Sequence, residues 1–389
     1  MDVVLESRHV EIDRRVFVDL LENSVASGRA PYTKALEKKV ISFSALVELA
    51  RAGDIPYSLF FAPYALVQAQ LKAKTEKLLQ GLTKDTFSLN SRATVELRDI
   101  ELIVKDLLRK QEMLKKYDRT LVENPIVGVL RKPGRTVAHD AQILSDALGF
   151  GEGSIRTANT KEAALELLIR HLEDHQVLVA RSVNNFMPQR LQGVAFSGMT
   201  IKDAKVPYIF LAGGDHGDYQ EPAGRQIFTL VLMAVLVARK IFAPVTYDGS
   251  SLAPTPGREY DIVGEMLMPA TMMKTAELVS LEAVKSAADL FMTTPSAVAV
   301  RAMRLKLIKP EVADGYLGQL RAEYENRLRP HVRAPKAVNA IRKYNGREFS
   351  VRMLDALDAK KLSARDFCRT VCLNKIKPSE INTFREALQ

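Results

Sequence analysis

The sequence predicts an α+β fold, mostly helical, with a small antiparallel sheet packed by helices and flanked by helical N- and C-terminal regions. Three observations predict it. Residues 227–238 form an apolar run of 12, relieved only by Thr229. Such a run is too short to span a bilayer and suits a helix buried on all sides. Ahead of it, residues 176–180, 193–196 and 207–211 are short β-type runs that follow helical stretches. On either side, residues 64–117 and 276–389 carry apolar residues at helical spacing. A few strands between helices make a sheet that helices must cover.

In chain order, residues 1–65 contain short helices. Residues 16–21 make an amphipathic turn and Gly28-Arg-Ala-Pro31 a loop. Residues 44–51 form a helix capped by Ser42 or Ser44 and stopped by Gly53. Pro56 opens another short helix whose apolar face is Leu59, Phe60 and Phe61. Between residues 64 and 117, Lys72, Lys74, Lys77, Arg109, Lys110, Lys115 and Lys116 alternate with acids, the pattern of a solvated helix face. Leu97, Ile100, Val104, Leu107 and Leu108 give its buried stripe. Pro125, Pro133 and Gly134 mark a boundary, followed by helices over 138–148 and 161–172, the second capped by Thr160. After the strands, Gly213-Gly-Asp-His-Gly-Asp-Tyr219 has loop chemistry. A helix over 280–291, a Thr/Pro turn and a helix over 293–307 follow with helix-turn-helix spacing. The expected units are 1–65, 66–130, 131–275 and 276–389.

The charge is unevenly placed. The net charge is +10, and residues 301–389 hold 20 Lys and Arg against 10 Asp and Glu, which accounts for all of it. A basic segment of that kind is expected to touch phosphates. Its candidates are Arg301, Arg304 and Lys306 on the second helix of the pair, then Arg329, Arg333, Lys336, Arg342 and Lys343. That interval, free of acids, is either a phosphate-binding arm or a solvated linker. The apolar fraction of 47% and charged fraction of 26% suit a soluble globular chain, and the acidic start is unlike a signal peptide. The expectation is a cytoplasmic protein with no membrane partner. Cys368 and Cys372 are four apart, without companions for a zinc knuckle, and read as a buried helical pair.

Several segments together resemble the ImmA/IrrE-type peptidase-like proteins that accompany helix-turn-helix repressors. Residues 42–63 resemble the end of that family's N-terminal helix-turn-helix module, and residues 97–117 its connecting helix. Gly193-Val-Ala-Phe196, Pro207-Tyr-Ile-Phe-Leu211, Gly224-Arg-Gln-Ile-Phe-Thr-Leu230 and Glu265-Met-Leu-Met-Pro269 fall where its peptidase domain has recurring sequence. Residues 293–307 and Tyr344-Asn-Gly-Arg347 are similar to the C-terminal part of its longer members. The resemblance implies a metallopeptidase-like domain over 131–275. In the family the Gly-Arg-Gln-x-Phe-Thr-Leu segment runs into a zinc-binding HExxH helix, where two histidines face the metal and the glutamate is the general base. Here those positions are Leu232, Met233 and Leu236, and the third-ligand position falls on Arg258, one residue from Glu259. None of the first three can bind zinc or move a proton.

The resemblance therefore implies a catalytically inactive, peptidase-like regulator or toxin-type protein without metal or other cofactor. Its expected partner is a repressor or antitoxin-like protein, with DNA or RNA contacted by the basic C-terminal region. Arg225 and Gln226 survive from the family pattern; they either brace the strand–helix junction or line a retained peptide groove that accepts an extended chain. Two rivals stay open. One is a relocated hydrolytic centre at Asp215, His216, Asp218 and Glu221. The other is a DNA-binding regulator. His171 and His175 are one turn apart but at a helix end, where histidine suits the dipole, and His139-Asp140 reads as surface. Ser197 lacks the spacing of a nucleophile elbow.

Overall fold

The computed structural model describes residues 1–27, 29–82, 97–151, 154–191, 194, 197–213, 221–245, 257–326 and 335–389. Its N-terminus holds a sheet that the sequence pattern does not announce. Strands β1 (Asp2–Leu5) and β2 (Arg8–Glu11) pair antiparallel, and β3 (Val40–Ser42) adds parallel to β1. β2 is exposed throughout, so no apolar alternation betrays it. Helices α1 (Arg14–Glu22), α2 (Ala30–Lys38) and α3 (Phe43–Ala52) cover this sheet. The Ser42 side chain accepts from Ala45 N to open α3, and Gly53 ends it. Phe17, Leu21, Leu46 and Phe60 share a core of their own with Val67. Phe61, expected in the apolar face, is exposed.

Helices α4 (Tyr64–Leu79) and α5 (Leu97–Tyr117) follow. Ile100, Val104 and Leu107 are fully buried as their spacing predicts, but the charged face of α5 is not all solvated. Glu101, Asp106, Lys110 and Gln111 are buried too, because α5 lies between other elements rather than on the surface.

The central sheet has the order β4-β6-β5-β7, built from β4 (Leu178–Arg181), β5 (Gly198–Ile201), β6 (Tyr208–Leu211) and β7 (Pro244–Val245). It is mixed: β5 runs antiparallel to β6 and β7, while β4 runs parallel to β6. The strand expected at 193–196 is displaced to β5; residues 193, 195 and 196 lie outside the described residues. Every residue of β5 and β6 is buried, which is why β6 reads as a continuous apolar run, while Gly198 and Thr200 break that pattern in β5.

Strand alternation divides the sheet between two cores. Ile209 and Leu211 face one, with α6 (Val137–Ala147), α7 (Lys161–Asp174), α8 (Ala223–Ala238), α9 (Arg258–Leu267), α10 (Leu281–Leu290), α11 (Pro295–Arg304) and α12 (Pro310–Glu325). Tyr208 and Phe210 face the other, with α5, α13 (Ala337–Asn345) and α14 (Arg347–Asp358). The expected boundaries near 130 and 275 are thus crossed by both cores, and residues 131–275 do not pack as a unit of their own. Thr160, Ser280 and Thr294 cap α7, α10 and α11 through their side chains. Cys368 and Cys372 are free and buried in the second core. Among the described residues no helix is long and apolar enough to cross a membrane.

The turn between α13 and α14 closes the outer edge of β4. Gly346 adopts φ 80° and ψ 160°, serving as C-cap of one helix and N-cap of the next. Tyr344 OH donates to Asp106 Oδ2 (2.6 Å), Asn345 Nδ2 to Val371 O (2.9 Å) and Ser350 Oγ to Gly346 O (2.6 Å). Beside it, buried Glu173 accepts from Glu348 N at 3.2 Å, and its Oε1 has no partner. Burial lifts the Glu173 carboxyl from 4.5 to about 7, against the backbone hydrogen bond from Glu348 that lowers it. Between these values the folded chain holds a proton that the unfolded chain has released, so stability falls as pH rises from about 4.5 to 7. The loss reaches on the order of 3 kcal/mol. Urea midpoints across this window should show it, and Glu173→Gln should flatten it; an unchanged slope in the variant would assign the pH dependence to other groups.

Candidate functional site

Helix α8 begins where the sequence places a punctuated junction. Pro222 is its N-cap, and Gly224 is required there because a Cβ would lie 2.7 Å from the backbone of Thr293. The 12-residue run then buries nearly all of its side chains between the sheet, α7 and α9. At the three positions that the resemblance would align with a metal-binding helix, Met233 is fully buried, Leu232 is 5% exposed and Leu236 is half-buried. Met233 packs directly on the β5 backbone: a Cβ on Gly198 would fall 2.8 Å from its sulfur. The glycine makes room for a thioether where a shorter, charged side chain would meet apolar neighbours.

The third-ligand position is engaged in another way. Arg258 Nε donates to Asp140 Oδ2 at 2.7 Å, and its Nη2 donates to Gly134 O at 2.7 Å. Asp140, read from the sequence as surface, is fully buried and also accepts from Gly134 N at 2.7 Å. The arginine in α9 explains this burial, since a buried carboxylate needs a partner. Glu259 pairs with Arg239 at 3.3 Å. The surface where the resemblance would put a metal is therefore occupied by apolar packing and two ion pairs. Among the described residues no three His, Cys, Asp or Glu side chains converge to hold a metal.

Of the alternative centre, Asp215, His216 and Asp218 lie outside the described residues, and only Glu221 is placed. Glu221 is 8% exposed and its Oε2 has no hydrogen-bond partner; burial raises its carboxyl, opposed by Arg225. Gln226 Nε2 donates to Glu221 O at 2.8 Å, a contact that braces the junction. Arg225 is half-buried beside it on the first turn of α8. His175 Nδ1 lies 2.8 Å from His171 O at the end of α7, a helix-terminal contact.

The basic candidates are corrected in part. Arg301 is buried and bonded to Glu265 and to Met268 O (3.3 Å), and Arg304 pairs with Asp261 at 2.5 Å. Asp261 and Glu265, one turn apart on α9, face both arginines, so neither charge is available to a phosphate. Arg342 donates to Ala387 O at 2.6 Å, capping the C-terminal helix. Lys306 and Lys336 are exposed, Lys343 is half-buried, and Arg329 and Arg333 lie outside the described residues.

A further polar centre escapes the sequence pattern. Lys110 is fully buried, with Nζ 3.3 Å from Asp106 Oδ2 and 3.8 Å from the Tyr344 ring centroid. Arg109 and Tyr344 also bond Asp106. Burial pulls the Lys110 ammonium down to about 8, while Asp106 opposes this. The i, i+4 acid–base spacing was visible, yet it is the same on a solvated helix; only the covering by α13 distinguishes them. No family model, curated protein or solved structure matches the chain.

Proposed function

We propose that this chain acts by binding rather than by hydrolysis, as an ImmA/IrrE-like protein whose metal helix has become part of the core. It engages a repressor-type or antitoxin-type protein at the junction of Arg225 and Gln226, and contacts nucleic acid through its cationic regions. One observation carries the reading: Leu232, Met233 and Leu236 pack as hydrophobic residues while Arg258 is tied to Asp140. A site so filled has no ligand set for zinc and no base to activate water. A half-buried Arg such as Arg225, on the first turn of α8, is the residue type that anchors protein interfaces.

Affinity capture from cells that naturally make this chain tests the proposal. A repressor-type or antitoxin-type protein should co-purify in stoichiometric, uncleaved form, and Arg225→Ala should weaken its binding about tenfold without loss of fold. Cleavage of the partner in a chelator-sensitive reaction would overturn the reading.

A further inference from the structure

The C-terminal end of α5 and the residues after α14 meet at the surface, where Lys361 Nζ donates to Tyr117 O at 3.0 Å. Two adjoining shallow depressions share Tyr117 and Lys361. One is lined by Lys116, Tyr117, Arg119 and Lys361, and the other extends past Ser363 to Arg369. We infer that this surface, centred on Tyr117 between Lys116, Arg119 and Lys361, binds single-stranded nucleic acid. The inference rests on the nucleic-acid part of the function proposed above and gives that contact a place away from the arginines of α11.

Charge is the first argument. Lys116, Arg119 and Lys361 are exposed, and none has a carboxylate partner among the described residues. The nearby acids are engaged elsewhere: Asp118 by Arg352 and Thr120, Asp366 by Arg369 and Ser363, Glu112 by Lys115. Three cations thus remain uncompensated around one concave surface. Cations also serve helix C-termini by bonding their last carbonyls. Lys361 does so, but Lys116 and Arg119 bond no carbonyl among the described residues, and that role does not account for them.

The ring is the second argument. Tyr117 is half-buried, with Lys116 Nζ 5.0 Å from its centroid and its backbone held by Lys361. An aromatic ring flanked by cations offers stacking to a base and neutralisation to the phosphates on either side. An acidic peptide would use the cations but gain nothing from the ring. A duplex would present its phosphates without an unstacked base.

Fluorescence anisotropy with a labelled oligothymidylate at low salt provides the test. The full-length wild type should bind with a steep salt dependence. The triple variant K116Q/R119Q/K361Q should lose at least about tenfold in affinity and about 2 in the slope of log affinity against log salt, at roughly 0.7 per phosphate. Tyr117→Leu should weaken binding about fivefold with the slope unchanged. The variant K34Q/K72Q/K77Q removes equal charge from exposed positions elsewhere and should bind like wild type. If both triple variants bind alike, the placement is wrong while nucleic-acid binding stands. If the wild type binds no oligonucleotide at low salt, both fail. Equal competition by polyglutamate, with Tyr117→Leu unaffected, would make this an acidic-peptide surface and overturn the inference.

Discussion

Replacing Gly346 with alanine is expected to remove about 3–5 kcal/mol of stability, the sum of backbone strain and overpacking. At φ 80° and ψ 160° the residue occupies a region that only glycine enters without strain. The added Cβ would also meet Glu173 Oε1 and come within 2.5 Å of Val179 O, on the edge strand of the sheet. Neither neighbour can retreat cheaply. Val179 belongs to β4, whose other side is paired with β6, and Glu173 is confined by the start of α14. The effect should reach beyond the turn, since Tyr344 and Asn345 anchor α13 to α5 and to the chain near Val371. Chemical denaturation of the variant should show the loss. A change below about 1 kcal/mol would mean that the junction relaxes freely, and that α13 and α14 are not locked to the sheet as described.

The second large effect is expected from placing a metal-helix pattern on α8. The variant L232H/M233E/L236H gives α8 the residue types of HExxH, but Met233 is fully buried against Gly198. A carboxylate there has no partner, and burying it costs roughly 4 kcal/mol or more, as an uncompensated charge does. No zinc should offset that cost. A catalytic zinc takes three protein ligands, and Arg258 at the third position is bonded to Asp140 and Gly134. The variant should unfold at much lower urea and bind no stoichiometric zinc. Wild-type stability together with one bound zinc per chain would show that the pocket persists and that its apolar filling is superficial.

These two sites mark how far the sequence could be read. Helix α8 was legible because an apolar run of its length permits little else, α7 because Thr160 announces its start, and α10 and α11 from apolar spacing on either side of a Thr/Pro turn. The parallel pairing of β4 with β6 was not, since a run of four buried residues has no signal for strand direction. β2 was missed because an exposed strand needs no apolar alternation, and β1 because its four residues bury only Val3. The charge errors share one cause. Lys110 in α5 and Arg301 in α11 sit in sequences rich in charge, and only tertiary packing buries the first beside Asp106 and sets the second against Glu265. Asp140 was read as surface for the same reason: its partner, Arg258, is 118 residues away. Tyr344-Asn-Gly-Arg347 stood out in the sequence only by a resemblance, and its physical role emerged from the β4 edge it closes.

The claim that α8 is core rather than metal site is tested most directly by the zinc content of the native protein, purified without chelators and measured by elemental analysis. The account predicts zinc well below one per chain, unchanged by adding excess zinc and removing it by gel filtration. One zinc retained per chain, and lost on substituting residues at the α8–α9 surface, would contradict it.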